Sequence, residues 1–134
     1  MNFETLLIDQ DKRGVVTLTL NRPEKRNALS AKMIDELTNF AVSLASDIRI
    51  VIIQGAGSLF CAGGDLEWMN AQIKADRTTR ITAAKKLASM LKALNELPVP
   101  LIAKVHGAAY GGGVGLACVC DFVISCSNVK FGFT

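Results

Sequence analysis

The stretch from Arg49 to Leu66 constrains this chain most. Ile50 to Ile53 is an unbroken β-branched run bounded by turn residues, which predicts a strand buried on both faces. It runs into Gly55-Ala-Gly57, and further on Gly63-Gly64 precedes Asp65, a suitable N-cap for the helix that follows. A strand, a glycine-rich turn and a helix start leave backbone N–H groups without intrahelical partners. Small residues let a ligand approach them, and such groups attract negative charge. The chain therefore poses one question: which anion, and what chemistry?

At 134 residues the length suits one ordinary domain, and a hydrophobic half is enough for a sizeable core. The net charge of +3 fits an anionic small molecule, but the cations are spread out and form no basic face, which argues against a nucleic-acid partner. Cys61, Cys118, Cys120 and Cys126 lack metal-type spacing, and the lone His106 supplies no second ligand. No metal site is expected, and the thiols are expected to be buried and reduced. Cys118 and Cys120 would lie on different sides of a helix. Met1 leads into Asn2-Phe3-Glu4 with no basic and apolar leader regions, so no secretory signal is read. The longest apolar stretch, Val105 to Cys120, is too short to span a bilayer. A soluble cytoplasmic protein with no membrane partner is the expectation. The last residues, Val129 to Thr134, look like the start of a strand or turn, so the chain reads as cut short.

Taken in order, residues 3–9 and 15–20 predict two strands around a turn, and Pro23 fixes a polar loop over 21–28. Ser30 caps a helix to about Ser46 whose stripe is Met33, Leu37, Phe40, Ala41 and Leu44. After the strand over 49–54 comes a short helix from Asp65, and residues 70–80 read as a mobile polar connection. A second amphipathic helix over about 78–95 carries Ile81, Ala84, Leu87, Ala88, Leu91 and Leu94. Pro98-Val-Pro100 ends it and feeds a strand over 101–105, then a second glycine-rich turn over 106–113. A helix from Val114 to about Cys120 and a strand over 122–125 follow. Strands alternating with helices imply an α/β sheet with ligands outside the carboxyl ends of neighbouring strands.

Gly55-Ala-Gly57-Ser-Leu-Phe60 resembles a dinucleotide fingerprint but ends in Phe60, whose bulk blocks the close packing that the last glycine permits. Gly111-Gly112-Gly113 lacks the Lys-Ser/Thr ending of a phosphate loop. Taken singly, each glycine cluster reads as a tight turn. Two of them, each after a buried strand and before a helix, point to a shared site. Asp65 is most simply an N-cap, and Glu67 and Trp68 are ordinary helix residues. Lys25 and Arg26 are loop cations that become phosphate ligands if the crevice is near. His106 has no Ser or Cys partner in view, which argues against a catalytic triad.

Three motifs in order, Asn21-Arg-Pro-Glu-Lys-Arg-Asn-Ala-Leu29, Phe60-Cys-Ala-Gly-Gly-Asp-Leu66 and His106-Gly-Ala-Ala-Tyr-Gly-Gly-Gly113 with Cys120-Asp-Phe122, resemble the enoyl-CoA hydratase/isomerase (crotonase) family. The family's usual length implies that residues 1–134 are the N-terminal part of a single crotonase-like domain, its C-terminal part absent. The implied fold is α/β, a spiral of repeated β-β-α units, and the implied assembly at full length is a homotrimer or hexamer. The implied substrate is an acyl-CoA thioester, with coenzyme A as part of the substrate and no separate cofactor. Its carbonyl oxygen would sit between the backbone N–H groups of Gly64, more often alanine in the family, and Gly112. The helix opening at the triple glycine would add its positive end. Lys25 and Arg26 would meet phosphates, and main-chain groups at Ala28, Ala62, Gly63, Asp65 and Leu66 would line the pantetheine and adenine. Tyr110, Gly111 and Gly115 complete the implied substrate-binding set.

The departures matter as much. Gly115 stands where typical hydratases carry a catalytic glutamate, and could widen the pocket for a branched or carboxylated acyl group. The second family glutamate would fall just beyond Thr134. The motifs are similar to the methylglutaconyl-CoA and carboxygeranoyl-CoA hydratase branch. The sequence thus reads as an enoyl-CoA hydratase. The alternatives are an isomerase, which can manage with one carboxylate, and an inactive acyl-CoA-binding relative. A chain of this length alone is expected to expose strand edges and the apolar faces of both long helices.

Overall fold

Val15 to Leu20 alternates half-buried and buried side chains, and that alternation starts the sheet. The computed structural model describes residues 2–133, so Met1 and Thr134, at the two ends read above, lie outside the described residues. Strand β1 (Leu6–Gln10) pairs antiparallel with β2 (Val15–Leu20). The strand expected over 3–9 starts later, because Glu4 and Thr5 give their N–H groups to the Glu36 carboxylate instead of to a ladder. From β2 onward the neighbours are parallel: β2 with β3 (Ile50–Gly55), and β3 with β4 (Leu101–Val105). Strand β5 (Ala108–Tyr110) lies inside the expected second turn. It leaves this sheet, while β4 takes β6 (Phe122–Ser125) as its other neighbour. β5 pairs in parallel with β7 (Lys130–Gly132), beginning a second sheet.

Helix α1 (Ala31–Val42) starts where Ser30 Oγ accepts the Met33 N–H at 3.2 Å, and buries Met33, Ile34, Leu37, Phe40 and Ala41. It ends before Ser46, because Ser43 gives both its N–H and its hydroxyl to Asn39 O; Leu44 still packs on the core. Helix α2 (Leu66–Lys74) is capped by Asp65, and α3 (Arg77–Asn95) by Asp76, whose Oδ1 accepts the Thr79 N–H at 2.8 Å. Residues 70–80 are therefore two capped helices with a break at Ala75-Asp76, not a loose connection; they are polar because these turns face solvent. On α3, Met90 and Leu94 are buried and Leu87 and Leu91 half-buried, whereas Ile81, Ala84 and Ala88 are exposed. The expected stripe is thus covered only toward its C-terminal end. Helix α4 spans Gly112–Cys118, shifted two residues toward the N-terminus of the expected span.

The core is one cluster in which Val16, Leu18, Val51, Ile53, Leu101 and Ala103 meet the buried side chains of α1, α3 and α4. β3 is consequently buried on one face, with Ile50 and Ile52 only half-buried, which corrects the expectation of a doubly covered strand. No described element covers the second face, so a β-branched run that looked central is central only in register. β6 is exposed along its length, with Phe122 and Ile124 each 63% accessible, and Phe131 and Phe133 are exposed nearby. Open strand surface is found as expected, whereas the stripe of α1 is covered.

All four cysteines are free, but only Cys61 is buried, and burial pushes its thiol up to about 11. Cys120 is half-buried, also pushed up, to about 12, chiefly by burial. Cys118 and Cys126 are exposed, against expectation. Because α4 ends at Cys118, Cys120 stands outside that helix. Among the described residues no three metal-ligating side chains gather, and no helix is long and apolar enough to cross a membrane.

Candidate active site

The loop before α1 forms the first wall. Pro23 opens a 3-10 turn over Pro23–Lys25, and Arg26 and Asn27 then both take a φ of 53°. Two consecutive left-handed residues without glycine persist only where their surroundings hold them. Asn27 is held on every side. It is fully buried, its Oδ1 accepts the Arg22 N–H at 2.9 Å, and its Nδ2 donates to Ala56 O at 2.8 Å and Leu59 O at 3.0 Å. The Arg22 guanidinium donates to Ala28 O at 2.6 Å and to Asp65 Oδ2 at 3.0 Å.

This reversal lays Ala28 and Leu29 along the segment before α2. Ala62 N–H donates to Arg26 O at 3.0 Å, Leu29 N–H to Gly63 O at 2.7 Å, and Asp65 N–H to Leu29 O at 3.0 Å. The same segment is joined on its other side to the second glycine-rich stretch: Tyr110 N–H donates to Cys61 O, and Phe60 N–H to Ala108 O. Gly111 N–H in turn donates to Gly132 O of β7 at 2.8 Å. The residues from 60 to 65 are the middle strip of three.

Close approach of the middle and last strips explains two glycines. Gly63 has a φ of +98°, and a Cβ there would stand 2.8 Å from Tyr110 O and 3.6 Å from Gly112 N. A Cβ on Gly113 would run into Cys61 O. Gly64 differs, because a Cβ there would press on the flexible side chain of Met69, at 3.1 Å from Sδ, and otherwise touch Trp68 at 3.9 Å. In an extended segment successive groups face opposite sides. Gly63 O and Asp65 N–H both bond Leu29, so the N–H of Gly64 faces away from it. Gly112 opens α4, where its N–H has no intrahelical acceptor. Among the described residues neither N–H has a hydrogen-bond partner, and both glycines line one cavity of about 660 Å³.

The structure brings most of the sequence-derived set to that cavity. Lys25, Arg26, Ala28, Ala62, Gly63, Asp65, Leu66, Tyr110 and Gly111 line it together with Gly64 and Gly112. Gly115 does not line it. It lies one helical turn along α4, where a Cβ would meet the Leu91 methyls at 3.9 Å. Sequence reasoning missed the apolar wall of Leu29, Ile34, Trp68, Met69 and Leu87. Trp68 and Met69 carried a signal, the first turn of a helix capped at the site, whereas Ile34 and Leu87 arrive from distant helices that only packing brings near. The Gly55–Gly57 turn is not part of the cavity: Asn27 bonds Ala56 O, His106 Nε2 lies 2.8 Å from Gly57 O, and Gly57 abuts Pro23. It is a turn that positions the strips: Gly57 is exposed, and Gly55 lines a separate cavity with Lys104 and His106.

Charge is arranged in two ways. Burial alone would raise the Asp65 carboxyl, but the Trp68 N–H and the Arg22 guanidinium outweigh it and hold the group below its ordinary 3.8. Asp65 is therefore a charged clasp between α2 and the first loop, not a proton donor. Lys25 and Arg26 are exposed and have no ion-pair partner among the described residues, so they remain available to an anion. Such a site can place two backbone donors on an oxygen, cover an apolar group with Trp68 and Met69, and meet phosphate with two cations.

Known proteins resemble this chain in sequence and fold. The family described as enoyl-CoA hydratase/isomerase matches residues 10–134. A protein named probable enoyl-CoA hydratase from Mycobacterium bovis is 40% identical over 134 residues, covering 98% of this chain and 50% of the relative. The mitochondrial methylglutaconyl-CoA hydratase of Mus musculus is 34% identical over 128 residues, covering 93% of this chain and 40% of the relative. The crystal structure of an enoyl-CoA hydratase from Mycobacterium smegmatis superposes with a TM-score of 0.90 at 38% identity, covering 96% of this chain and 50% of that one. The mixed α/β architecture is that of these structures, and the chain spans about half the length of the curated relatives it matches.

Proposed function

This chain belongs to the enoyl-CoA hydratase/isomerase family, and from that premise we propose that its cavity holds an acyl-CoA thioester for hydration of the 2,3 double bond. The observation that carries the reading is the pair of N–H groups, Gly64 and Gly112, that line one cavity without a hydrogen-bond partner among the described residues. Water adds its oxygen to the third carbon, the double-bond electrons move toward the thioester carbonyl, and the second carbon then takes a proton. The intermediate is an enolate with its charge on the carbonyl oxygen. Two fixed donors stabilise that charge without reorganising, and losing one costs on the order of 3 kcal/mol of transition-state stabilisation.

Lys25 and Arg26 would pair with the coenzyme A phosphates, and main-chain groups from Ala62 to Leu66 would run beside the pantetheine. No separate cofactor enters this scheme. Position 115 is glycine and the Asp65 carboxylate is engaged by Arg22 and Trp68, so neither moves the proton. That role we assign to a glutamate carried after Thr134 in a full-length chain, which would work in the cytoplasm as a homotrimer or hexamer. Residues 1–134 would then be the N-terminal part of one crotonase-like domain. The glycine at 115 favours a second reading, an isomerase that shifts a double bond with one carboxylate.

The test is loss of conjugated-thioester absorbance with crotonyl-CoA, using the full length that the gene encodes, for the wild type, Gly112→Ala and Gly112→Pro. Both variants add a Cβ toward Leu29, where it would stand 2.7 Å from Cδ1, but only proline removes the N–H. A folded proline variant should fall about a hundredfold below the alanine variant. Equal rates would remove Gly112 from the mechanism. A wild type that leaves crotonyl-CoA untouched yet forms it from its 3-enoyl isomer is the isomerase, and one that only binds thioesters is the inactive relative.

A further inference from the structure

The chain has one histidine, His106, which follows β4 and opens the stretch that runs to Gly112. Its ring Nε2 lies 2.8 Å from Gly57 O. A carbonyl oxygen only accepts, so Nε2 carries the proton and donates. His106 also accepts the Phe60 N–H on its own carbonyl at 3.0 Å, and that N–H is shared with Ala108 O at 3.1 Å. Beside it, Gly107 has a φ of +67°, and a Cβ there would run into Ser58 O.

The turn over residues 56–60 is held from the first loop as well. Asn27 Nδ2 donates to Ala56 O and Leu59 O, and Gly57 abuts Pro23. One turn thus ties the first strip, through Asn27, to the last, through His106, and it leads into the middle strip that carries Gly64. The middle and last strips pair only briefly, at the bridge between Cys61 and Ala109 and the bond from Tyr110 N–H to Cys61 O at 3.0 Å. Glycine-rich strands specify their register weakly, so an anchor outside the ladder matters here. Among the described residues, the His106 ring makes the one side-chain hydrogen bond between the turn and the last strip.

We propose that His106 is a positioning residue for the donor pair. Its hold on Gly57 O fixes the register of the middle strip against the last, and so the separation of the Gly64 and Gly112 N–H groups. The inference rests on reading those groups as donors to a thioester oxygen. The ring lines a separate cavity of about 390 Å³ and not the donor cavity, so it acts through the backbone and touches no substrate. Two donors aimed at one oxygen are sensitive to placement, and a displacement of about 1 Å can cost on the order of a hundredfold. Negative charge on that oxygen feels the displacement most. The cations and the apolar wall that hold the rest of a thioester do not depend on it.

The experiment is calorimetric titration of the full-length protein with acetoacetyl-CoA and butyryl-CoA under mildly alkaline conditions. Acetoacetyl-CoA then forms an enolate with charge on its carbonyl oxygens, whereas butyryl-CoA keeps a neutral thioester. The proteins are the wild type, His106→Leu, His106→Ala and His106→Gln. Leucine and alanine remove the N–H with and without the bulk of the ring, and glutamine returns a donor near the position of Nε2. The wild type should bind acetoacetyl-CoA about tenfold or more tightly than butyryl-CoA. A folded leucine or alanine variant should cut that preference to about threefold or less while butyryl-CoA affinity changes less than about twofold, and glutamine should restore it. A preference that survives loss of the N–H would overturn the inference. So would an equal loss of affinity for both thioesters, or a glutamine variant no better than leucine. If the folded wild type binds both thioesters equally, or neither, the donor reading itself fails and takes the inference with it, an outcome visible before any variant is compared.

Discussion

Asn27 and Gly63 show how few residues set the geometry of the site. Asn27 looks like loop filler in the sequence, yet its amide satisfies one donor and two acceptors from two separate stretches of backbone. Asparagine tolerates the left-handed conformation and turns the chain there, so its residue type was a hint. The partners Ala56 and Leu59 were not readable. Gly63 and Gly64 read alike in sequence and differ in structure. Alanine at 63 combines a strained φ with a Cβ 2.8 Å from Tyr110 O, which would push the two donor strips apart. Alanine at 64 presses only on a flexible thioether and keeps its N–H. Gly63→Ala should lower kcat/KM at least tenfold and destabilise by about 1–3 kcal/mol. Gly64→Ala should change either by less than about twofold or 1 kcal/mol. Paired thermal melts and crotonyl-CoA turnover would check this, and a harmless Gly63→Ala would refute the close-approach argument.

Helices and strands were the most legible parts. Period and caps found α1, α2 and α3 because Ser30 and Asp65 do in the fold what their types suggest. β5 escaped because three small residues inside a glycine-rich stretch carry no pattern, and only pairing with β7 makes them a strand. The break at Ala75-Asp76 escaped because polarity was read as looseness, although Asp76 is itself a helix cap. At this scale α4 makes a prediction. Gly115 sits within the helix, its φ is ordinary, and a methyl there would make a normal contact with Leu91. Gly115→Ala should therefore stabilise the protein by about 0.5–1 kcal/mol, seen as a higher denaturant midpoint at unchanged m-value. A lower midpoint would mean that the space before Leu91 is not free.

For the molecule as a whole, two depressed carboxyls tie distant segments together. Burial would raise Glu36, but the N–H groups of Glu4 and Thr5, the Thr5 hydroxyl and Lys32 prevail and lower it from its ordinary 4.5. Asp65 is lowered from 3.8 by Trp68 and Arg22 against its own burial. A carboxyl whose folded value lies below its unfolded one binds fewer protons when folded. Its contribution is complete above the unfolded value and is lost as pH falls through the folded one. Stability from these two groups should hold above about pH 5 and decline below about pH 4.5. Glu36→Gln should cost roughly 1–3 kcal/mol near neutrality and flatten the acid side of a melting-temperature profile. An unchanged acid slope would show that the clasp on α1 does not govern acid unfolding.

The sequence alone determined the α/β character, the strands over 15–20 and 101–105, and the helix caps Ser30 and Asp65. Each follows from local rules of period, φ preference and hydrogen-bond satisfaction, which act over a few residues. Only the tertiary structure decided which glycines line the cavity of Gly64 and Gly112 and which lie elsewhere. It also covered one face of β3 rather than two, brought Ile34 and Leu87 to the same wall, and set Gly115 against Leu91 instead of the donors. Those outcomes depend on contacts between segments far apart in the chain. Side-chain volume and unsatisfied polar groups choose among such contacts, and no local pattern records the choice.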